Sequence, residues 1–304
     1  MKINSIFYVL KKEQHRERLD KVITKLSKIY SRTKIKHFIL HGLVKINDII
    51  VFDPNKKVYN NDKIELNINL SNNNIIAPKN IRLNIIYEDH NILIINKQNN
   101  FAMYSSHEKY NTILNGILYY YPLNINLPRV GIVHRLDKNT TGILIIAKNS
   151  FTQHKLTQLI KNRQIIKEYL AIVHGRTKKY GSIIKPISRN IHDRTCMKVC
   201  NFGKLAITHY KVIKYFKNYT YLRIILETGR THQIRVHMSY IKHPVLGDVK
   251  YNIFFKNKEN NINFNRQALH SYKLKFNYPF NNGEKVWCAP LPKDMKILLK
   301  KLST

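Results

Sequence analysis

Chemistry in this chain can be built around Asp137. It lies in Gly131 to Ala147, GIVHRLDKNTTGILIIA, between the cations Arg135 and Lys138. Two short apolar, β-branched runs, Ile132-Val133 and Ile143 to Ala147, flank a polar insert, a pattern that reads as strand, turn, strand. Gly142 lets the backbone turn sharply. A single carboxylate on a loop held by buried strands suits nucleophilic or acid–base work, because the scaffold fixes it. The same D-x-N-x-x-G spacing also suits an Asp that only bonds its own backbone, and spacing does not separate the two. The stretch imitates the first half of a calcium loop. The twelfth position, which must be a bidentate Glu, is Lys148, so calcium is excluded.

Two further stretches carry suitable residues. In Lys167 to Val173, KEYLAIV, period-two alternation puts Tyr169 on one face with Ala171 and Val173, pointing inward. A core tyrosine with a bonded hydroxyl and a functional one both fit that position. Glu227 to His237, ETGRTHQIRVH, holds Arg230 and Arg235 with two histidines. His232 and His237 are five apart and do not share a helical face, which argues against a metal pair. Basic residues at a helix start suit phosphates, as do the free amides there; plain surface charge is the alternative.

The elements that must position these residues form two modules. Residues 16–75 read as a small one. Leu19, Val22, Ile23, Leu26 and Ile29 share a helical face, and Ser31 is placed to cap a second helix carrying Ile35, Phe38 and Ile39, which Gly42 stops. Short strands follow at Val44 to Ile46, Ile49 to Val51, and Ile64 to Ile68. Arg32, Lys34, Lys36 and His37 give the second helix a basic face, fit for RNA or simply for solvent. Asn69 to Lys79 is a polar, Pro-bearing linker. Residues 80–304 form the larger module. It opens with a hairpin, Leu83 to Tyr87 and Ile92 to Ile95. A helical stripe from Ile113 to Tyr121, the Asp137 strands, and a helix near 151–162 follow. Next come the Tyr169 strand, two long strands near 207–215 and 219–227, and a helix that Thr231 caps and that runs to Ile241. Uneven alternation of strands and helices with several hairpins predicts an α+β fold with a mixed, mostly antiparallel sheet.

Lys and Arg number 53 against 18 Asp and Glu, a formal charge of +35, which points to a polyanionic partner. Part of that surplus is compositional, since Lys, Asn and Ile recur even in loops such as Asn72-Asn73-Asn74. Cys196, Cys200 and Cys288 form no CxxC pair, so structural zinc is not expected, and sparse cysteine fits a reducing cytosol. No signal peptide or membrane-length apolar stretch is read, so the expectation is a soluble cytoplasmic protein.

His134 to Gly142 matches, over nine residues, the H-R-L-D-x-x-T-[ST]-G signature of the RluA-type pseudouridine synthases, and the chain closely resembles that family. Gly229 to His237 resembles its G-R-[ST]-H-Q-[IL]-R-V-H motif, and HPVLGD, His243 to Asp248, also matches; it reads as a structural Pro-Gly turn. The order R-L-D-x-x-I, S-R-x-x-I-x-x-x-I, G-x-V-x-I-N between Arg18 and Asn47 resembles an S4 RNA-binding domain. Further matching text includes KPISRN, GKLAITHYKV and FNRQALHSYKLKFNYP. The family's K-P and H-P-G are replaced by Lys97-Gln98 and Ser106-His107-Glu108, which leaves open how the rim from Gln98 to Glu108 meets RNA.

The resemblance implies a synthase that isomerises uridine to pseudouridine in large-subunit ribosomal RNA; for the S4-bearing type the target is the helix 69 stem-loop. It implies no cofactor or metal. Asp137 is then the catalytic carboxylate, paired with Arg235, and Tyr169 packs on the flipped base. Arg135 and Arg230 lie at the site, with Arg135 expected to fill the vacated stack and bond phosphate. Arg32 and Lys36 are expected to bind RNA through the S4 module. A monomer is expected, acting on ribosomal RNA or a pre-ribosomal subunit without a membrane. The competing reading is a non-catalytic S4-type ribosome assembly factor.

Overall fold

The computed structural model describes residues 3–27, 30, 32–69, 77–104, 111–252, 262, 264–280 and 283–303. The chain divides into two compact units, Met1–Ile75 and Ile76–Thr304.

The smaller unit packs helices α1 (Leu19–Ser27) and α2 (Arg32–Leu40) on an antiparallel sheet. The sheet takes strands β1 (Ile3–Val9), β2 (Val44–Ile46), β3 (Ile49–Ile50) and β4 (Lys63–Asn69) in the order β1-β4-β2-β3. Leu19, Val22, Ile23, Ile35, Ile39, Ile64 and Leu66 are fully buried in its core. Strand β1 precedes the module start read from the sequence and pairs with β4 from Ile3↔Asn69 to Val9↔Lys63. It is an edge strand, and Phe7 and Val9 stay exposed, so its alternation carried no clear burial signal. Ser31, Ile29 and most of the linker lie outside the described residues.

The larger unit is built on a nine-stranded sheet. In chain order come β5 (Ile85–Glu88), β6 (Ile92–Lys97), α3 (Ile113–Tyr120), β7 (Thr141–Ala147), α4 (Ser150–Lys161) and β8 (Ile166–His174). Strands β9 (Tyr180–Ile184), β10 (Ile187–Arg189), β11 (Met197–Val199), β12 (Ile207–Tyr215) and β13 (Tyr219–Leu226) follow. Helix α5 (Gln233–Tyr240), β14 (Leu269–Asn277), β15 (Glu284–Cys288) and α6 (Lys293–Ser303) close the chain. The sheet runs β5-β6-β7-β14-β8-β13-β12-β9, with β15 added on β14, and β10 and β11 form a separate ribbon. Pairing is antiparallel except between β7 and β14, which confirms the α+β reading. The central strands β7 and β8 are buried along nearly their whole length, so both faces are covered.

Two local expectations change. Ile132-Val133 does not form a strand; one bridge, Ile132↔Ile146, is all that pairs. Before it, Arg129, Val130 and Gly131 all have positive φ (52°, 56° and 79°), a coil that no strand can continue. Helix α5 starts at Gln233 after His232, itself left-handed at φ 56°, so Thr231 is not its cap. Among the described residues, no side-chain cap bond is made at His232; the Gln233 side chain instead ties down the preceding turn, accepting the Arg230 backbone N–H at 3.0 Å.

Candidate active site

The loop from His134 to Thr140 is pegged at nearly every residue. The Ile145 N–H donates to His134 Nε2 at 3.0 Å, which requires a neutral ring. Burial, helped by the Lys167 charge, takes the His134 pKa down to about 3. Leu136 sinks into the core cluster that also holds Tyr169 and Leu269. The carbonyl of Lys138 accepts from Lys97 Nζ (2.9 Å) and that of Asn139 from Arg266 Nη1 (3.2 Å). Gln267 Nε2 donates to Thr140 Oγ1 at 3.1 Å, and Thr141 Oγ1 meets His270 Nδ1 at 2.8 Å. Gly142, at φ 112°, lets β7 lie against β14: a Cβ there would stand 2.1 Å from the Ser271 carbonyl oxygen. Close approach of another strand, beyond the turn itself, demands this glycine.

Held this way, the loop presents Arg135 and Asp137 at the recess. Arg235, on the first turn of α5, donates from Nη1 to Asp137 Oδ2 at 2.9 Å. Its Nε and Nη2 make a two-pronged contact with the fully buried Asp248, at 2.6 and 2.9 Å. Its guanidinium sits 5.0 Å over the Tyr251 ring. Burial opposes the Arg235 charge, but the bonds to Asp248 and Asp137 outweigh it and hold the guanidinium pKa above its ordinary value. The expected pairing of Arg235 with Asp137 is therefore present. Asp137 does not spend its carboxylate on its own turn; among the described residues its hydrogen-bond donor is Arg235. Its side chain is 15% exposed.

Near it lies a cleft of about 480 Å³, lined by Tyr104, Arg135, Lys167, Tyr169 and Arg230 among others. A recess of about 50 Å³ shares Arg135, Tyr169 and Arg230 with it and adds Asp137 and His232. The cleft also takes in Arg129, Lys161 and Arg163, with Glu227 as its one carboxylate. Glu227 is occupied by Arg163 and His209 at 3.2 and 2.8 Å. The wall is thus cationic and offers a polyanion several contacts. Arg135 is exposed; its Nη1 donates to the Tyr104 hydroxyl at 2.7 Å. Tyr169 is buried, and burial pushes its phenol up to about 12, so it offers a neutral face rather than a phenolate. Arg230 Nε donates to the Leu205 carbonyl at 3.0 Å.

Sequence reasoning missed three supports. Asp248 was read as part of a structural turn, yet it completes the acid–Arg–acid bridge; Gly247, at φ 75°, admits the close-lying Arg266 carbonyl that a Cβ would strike at 2.0 Å. Lys97 is buried and donates to three carbonyls, those of Gln98, Phe101 and Lys138. Burial takes its pKa down to about 7, against the pull of Asp137. Arg266 and Gln267 appeared only as matching text; both are buried, which no local pattern in the sequence marks.

A family description, RNA pseudouridylate synthase, matches residues 91–240, and the S4 domain matches residues 17–64. A ribosomal large subunit pseudouridine synthase D of Buchnera aphidicola subsp. Acyrthosiphon pisum is 44% identical over 295 residues, covering 94% of this chain and 95% of that protein. The chain belongs to the RNA pseudouridylate synthases. A second relative of this synthase, the D enzyme of Haemophilus influenzae, is 42% identical over 95% of this chain and 92% of its own. Two solved human proteins share the synthase fold. RNA pseudouridylate synthase domain containing 4 matches with a TM-score of 0.59 at 22% identity, over 72% of this chain and 93% of that one. Domain containing 1 matches with 0.56 at 24%, over 73% and 95%. Within this synthase, no group of three or more His, Cys, Asp or Glu that could hold a metal occurs among the described residues, and none of their helices is long and apolar enough to cross a membrane.

The other predicted contacts lie in the S4 unit. Arg32 and Lys36 both turn toward the buried Asp20, at 2.9 and 3.8 Å, while their side chains stay partly exposed. Of the altered rim from Gln98 to Glu108, residues 105–108 lie outside the described residues.

Proposed function

We propose that this synthase isomerises uridine to pseudouridine in large-subunit ribosomal RNA, with the helix 69 stem-loop as target, and that Asp137 is its catalytic carboxylate. The observation that carries the reading is a carboxylate with one oxygen bound by a buried guanidinium and the other left open in a recess that shares Arg135, Tyr169 and Arg230 with the cationic cleft. Two relatives named for the large ribosomal subunit support the substrate.

The reaction breaks the N1–C1′ bond, rotates the uracil and joins C5 to C1′; the C5 proton is lost and N1 gains one. A stacked uridine cannot reach a carboxylate at the floor of a recess, so it must be extruded, which costs a few kcal/mol. Arg135, at an exposed position of the pegged loop, fills the gap and bonds phosphate. Tyr169 stacks on the extruded base. Asp137 attacks C1′ or C6, or takes the 2′ proton; each route needs it ionised and positioned. Arg235 fixes its position and sets a positive charge beside it, and Arg230 holds a flanking phosphate. Arg32 and Lys36 add salt-sensitive contacts to RNA from the S4 unit, and the +35 charge adds general affinity. The partner is ribosomal RNA or an assembling large subunit, met in the bacterial cytoplasm by a monomer.

Release of tritium from [5-³H]uridine in a large-subunit RNA transcript measures turnover. Asp137→Asn should abolish release while retaining RNA binding. Reverse-transcription mapping locates the product; pseudouridine outside helix 69, and none within it, would overturn the target.

A further inference from the structure

Arg235 binds one oxygen of Asp137. The other, Oδ1, faces His232 Nε2 at 3.9 Å, beyond hydrogen-bond reach. His232 sits immediately before α5 with φ 56° and ψ 19°, a left-handed conformation that a side-chain-bearing residue holds only when its surroundings impose it. Its Nδ1 lies 2.7 Å from the Tyr251 hydroxyl. That hydroxyl also accepts the Met197 backbone N–H, at 2.8 Å. Tyr251 is buried, so its own proton needs an acceptor. The Met197 N–H is a donor and cannot take it; His232 Nδ1 can. Tyr251 therefore donates to Nδ1, and the imidazole carries its proton on Nε2, the atom that faces Asp137. The Tyr251 ring also lies under the Arg235 guanidinium. One tyrosine thus orients both groups that face the carboxylate.

We propose that His232 is a positioning residue for the isomerisation. Its Nε2–H directs Asp137 Oδ1, the oxygen that Arg235 leaves open, toward the ribose of the extruded nucleotide. A carboxylate held at one oxygen can still swing about that bond; a second donor at the other oxygen fixes its plane. The 3.9 Å gap shortens to a hydrogen bond when RNA fills the cleft, as hydrogen bonds at sites without substrate commonly do. The proposal rests on Asp137 being the reacting group.

The test uses the full chain, a large-subunit RNA transcript and tritium release, with melting temperature measured alongside. Asn at 232 tolerates the left-handed backbone, but its amide ends near the position of Nδ1, short of Asp137. The Gln amide reaches the position of Nε2. His232→Asn should keep the melting temperature and KM and lower kcat by about 10- to 100-fold, the scale of an ångström of misplacement. His232→Gln should recover most of that loss. Tyr251→Phe, which frees the tautomer but keeps the ring under Arg235, should fall between the wild type and His232→Asn. A kcat unchanged in His232→Asn, a loss confined to KM, or equal losses in the Asn and Gln variants that track melting would each overturn the proposal. Asp137→Asn runs in the same assay. If it turns over, the reading of Asp137 has failed; if it is dead while His232→Asn matches wild type, only the role of His232 has.

Discussion

The tripeptide Arg-Leu-Asp occurs at Arg18-Leu19-Asp20 and again at Arg135-Leu136-Asp137, and the two folds around it have opposite outcomes. In both, the leucine is buried and anchors the segment. Asp20 sits in the first turn of α1 and is fully buried, with both oxygens occupied. Arg18 and Arg32 each donate twice to it, at 2.9 to 3.2 Å, and Lys36 stands at 3.8 Å. Asp137 has one bound oxygen and one open oxygen, and its own Arg135 turns away to Tyr104. A carboxylate saturated by cations is a structural fastener. One that shares its arginine with a second acid, Asp248, keeps an oxygen for chemistry. The surroundings of the tripeptide, more than the tripeptide, decide which.

Substitution at the two acids should break the symmetry in opposite directions. Asp137→Asn should lower turnover by on the order of 10²- to 10⁴-fold or more, the scale of a lost acid–base or nucleophilic group, with little change in melting temperature. Stability survives because Arg235 keeps its two-pronged bond to Asp248. Asp248→Ala sharpens the point. It takes the paired acid from a guanidinium that is itself buried, and should destabilise the larger unit by about 3–5 kcal/mol. Denaturant unfolding of the full chain checks this; a loss below about 1 kcal/mol would mean that Asp137 alone can hold Arg235.

What was legible in the sequence follows the same division. Spacing alone leaves bland readings open for Asp137, Arg235 and Tyr169; the resemblance to the family's motifs singles them out, and the structure brings all three to one recess. Period-two and helical patterns gave β8, β12, β13 and α4 to within a residue or so. Asp248 and Lys97 were not legible as site supports. Their roles depend on contacts with residues 13 and 41 positions away, and no local pattern marks a lysine that is to be buried. The strand expected at Ile132-Val133 failed because a left-handed coil at Arg129 to Gly131 leads into it, and composition does not report φ; its apolar residues still serve the core.

The pegs of the catalytic loop have their own signature in pH. His134 and His270 are held neutral, with pKa values down to about 3 and about 4, by burial in both cases, from an ordinary 6.5. Below pH 6.5 the unfolded chain takes up a proton on each ring that the folded state refuses. Stability of the larger unit should therefore fall as pH drops from 6.5 toward 4, by about 1.4 kcal/mol per pH unit for each histidine. Above 6.5 neither ring contributes a slope. His134→Gln should flatten the curve by one histidine's share, read from chemical unfolding at a series of pH values.

Asp20→Asn makes the smallest change and tests the other half of the comparison. Arg18 and Arg32 are a third or more exposed at their side chains, so both can turn to water when the acid goes. The cost should be about 1–2 kcal/mol, well under that of breaking a pair buried on both sides. It should appear as faster hydrogen exchange at buried amides of β4, with kcat on bound RNA unchanged. Burial raises the Asp20 pKa, but the bonds from Arg32 and Arg18 outweigh it and hold it below the ordinary 3.8. Its contribution is therefore present above that pH and is lost as pH falls further. The exchange difference between Asp20→Asn and wild type should accordingly persist at pH 6 and shrink as the acid is protonated. A fall in kcat for Asp20→Asn comparable to that of Asp137→Asn would remove the distinction between the two acids altogether.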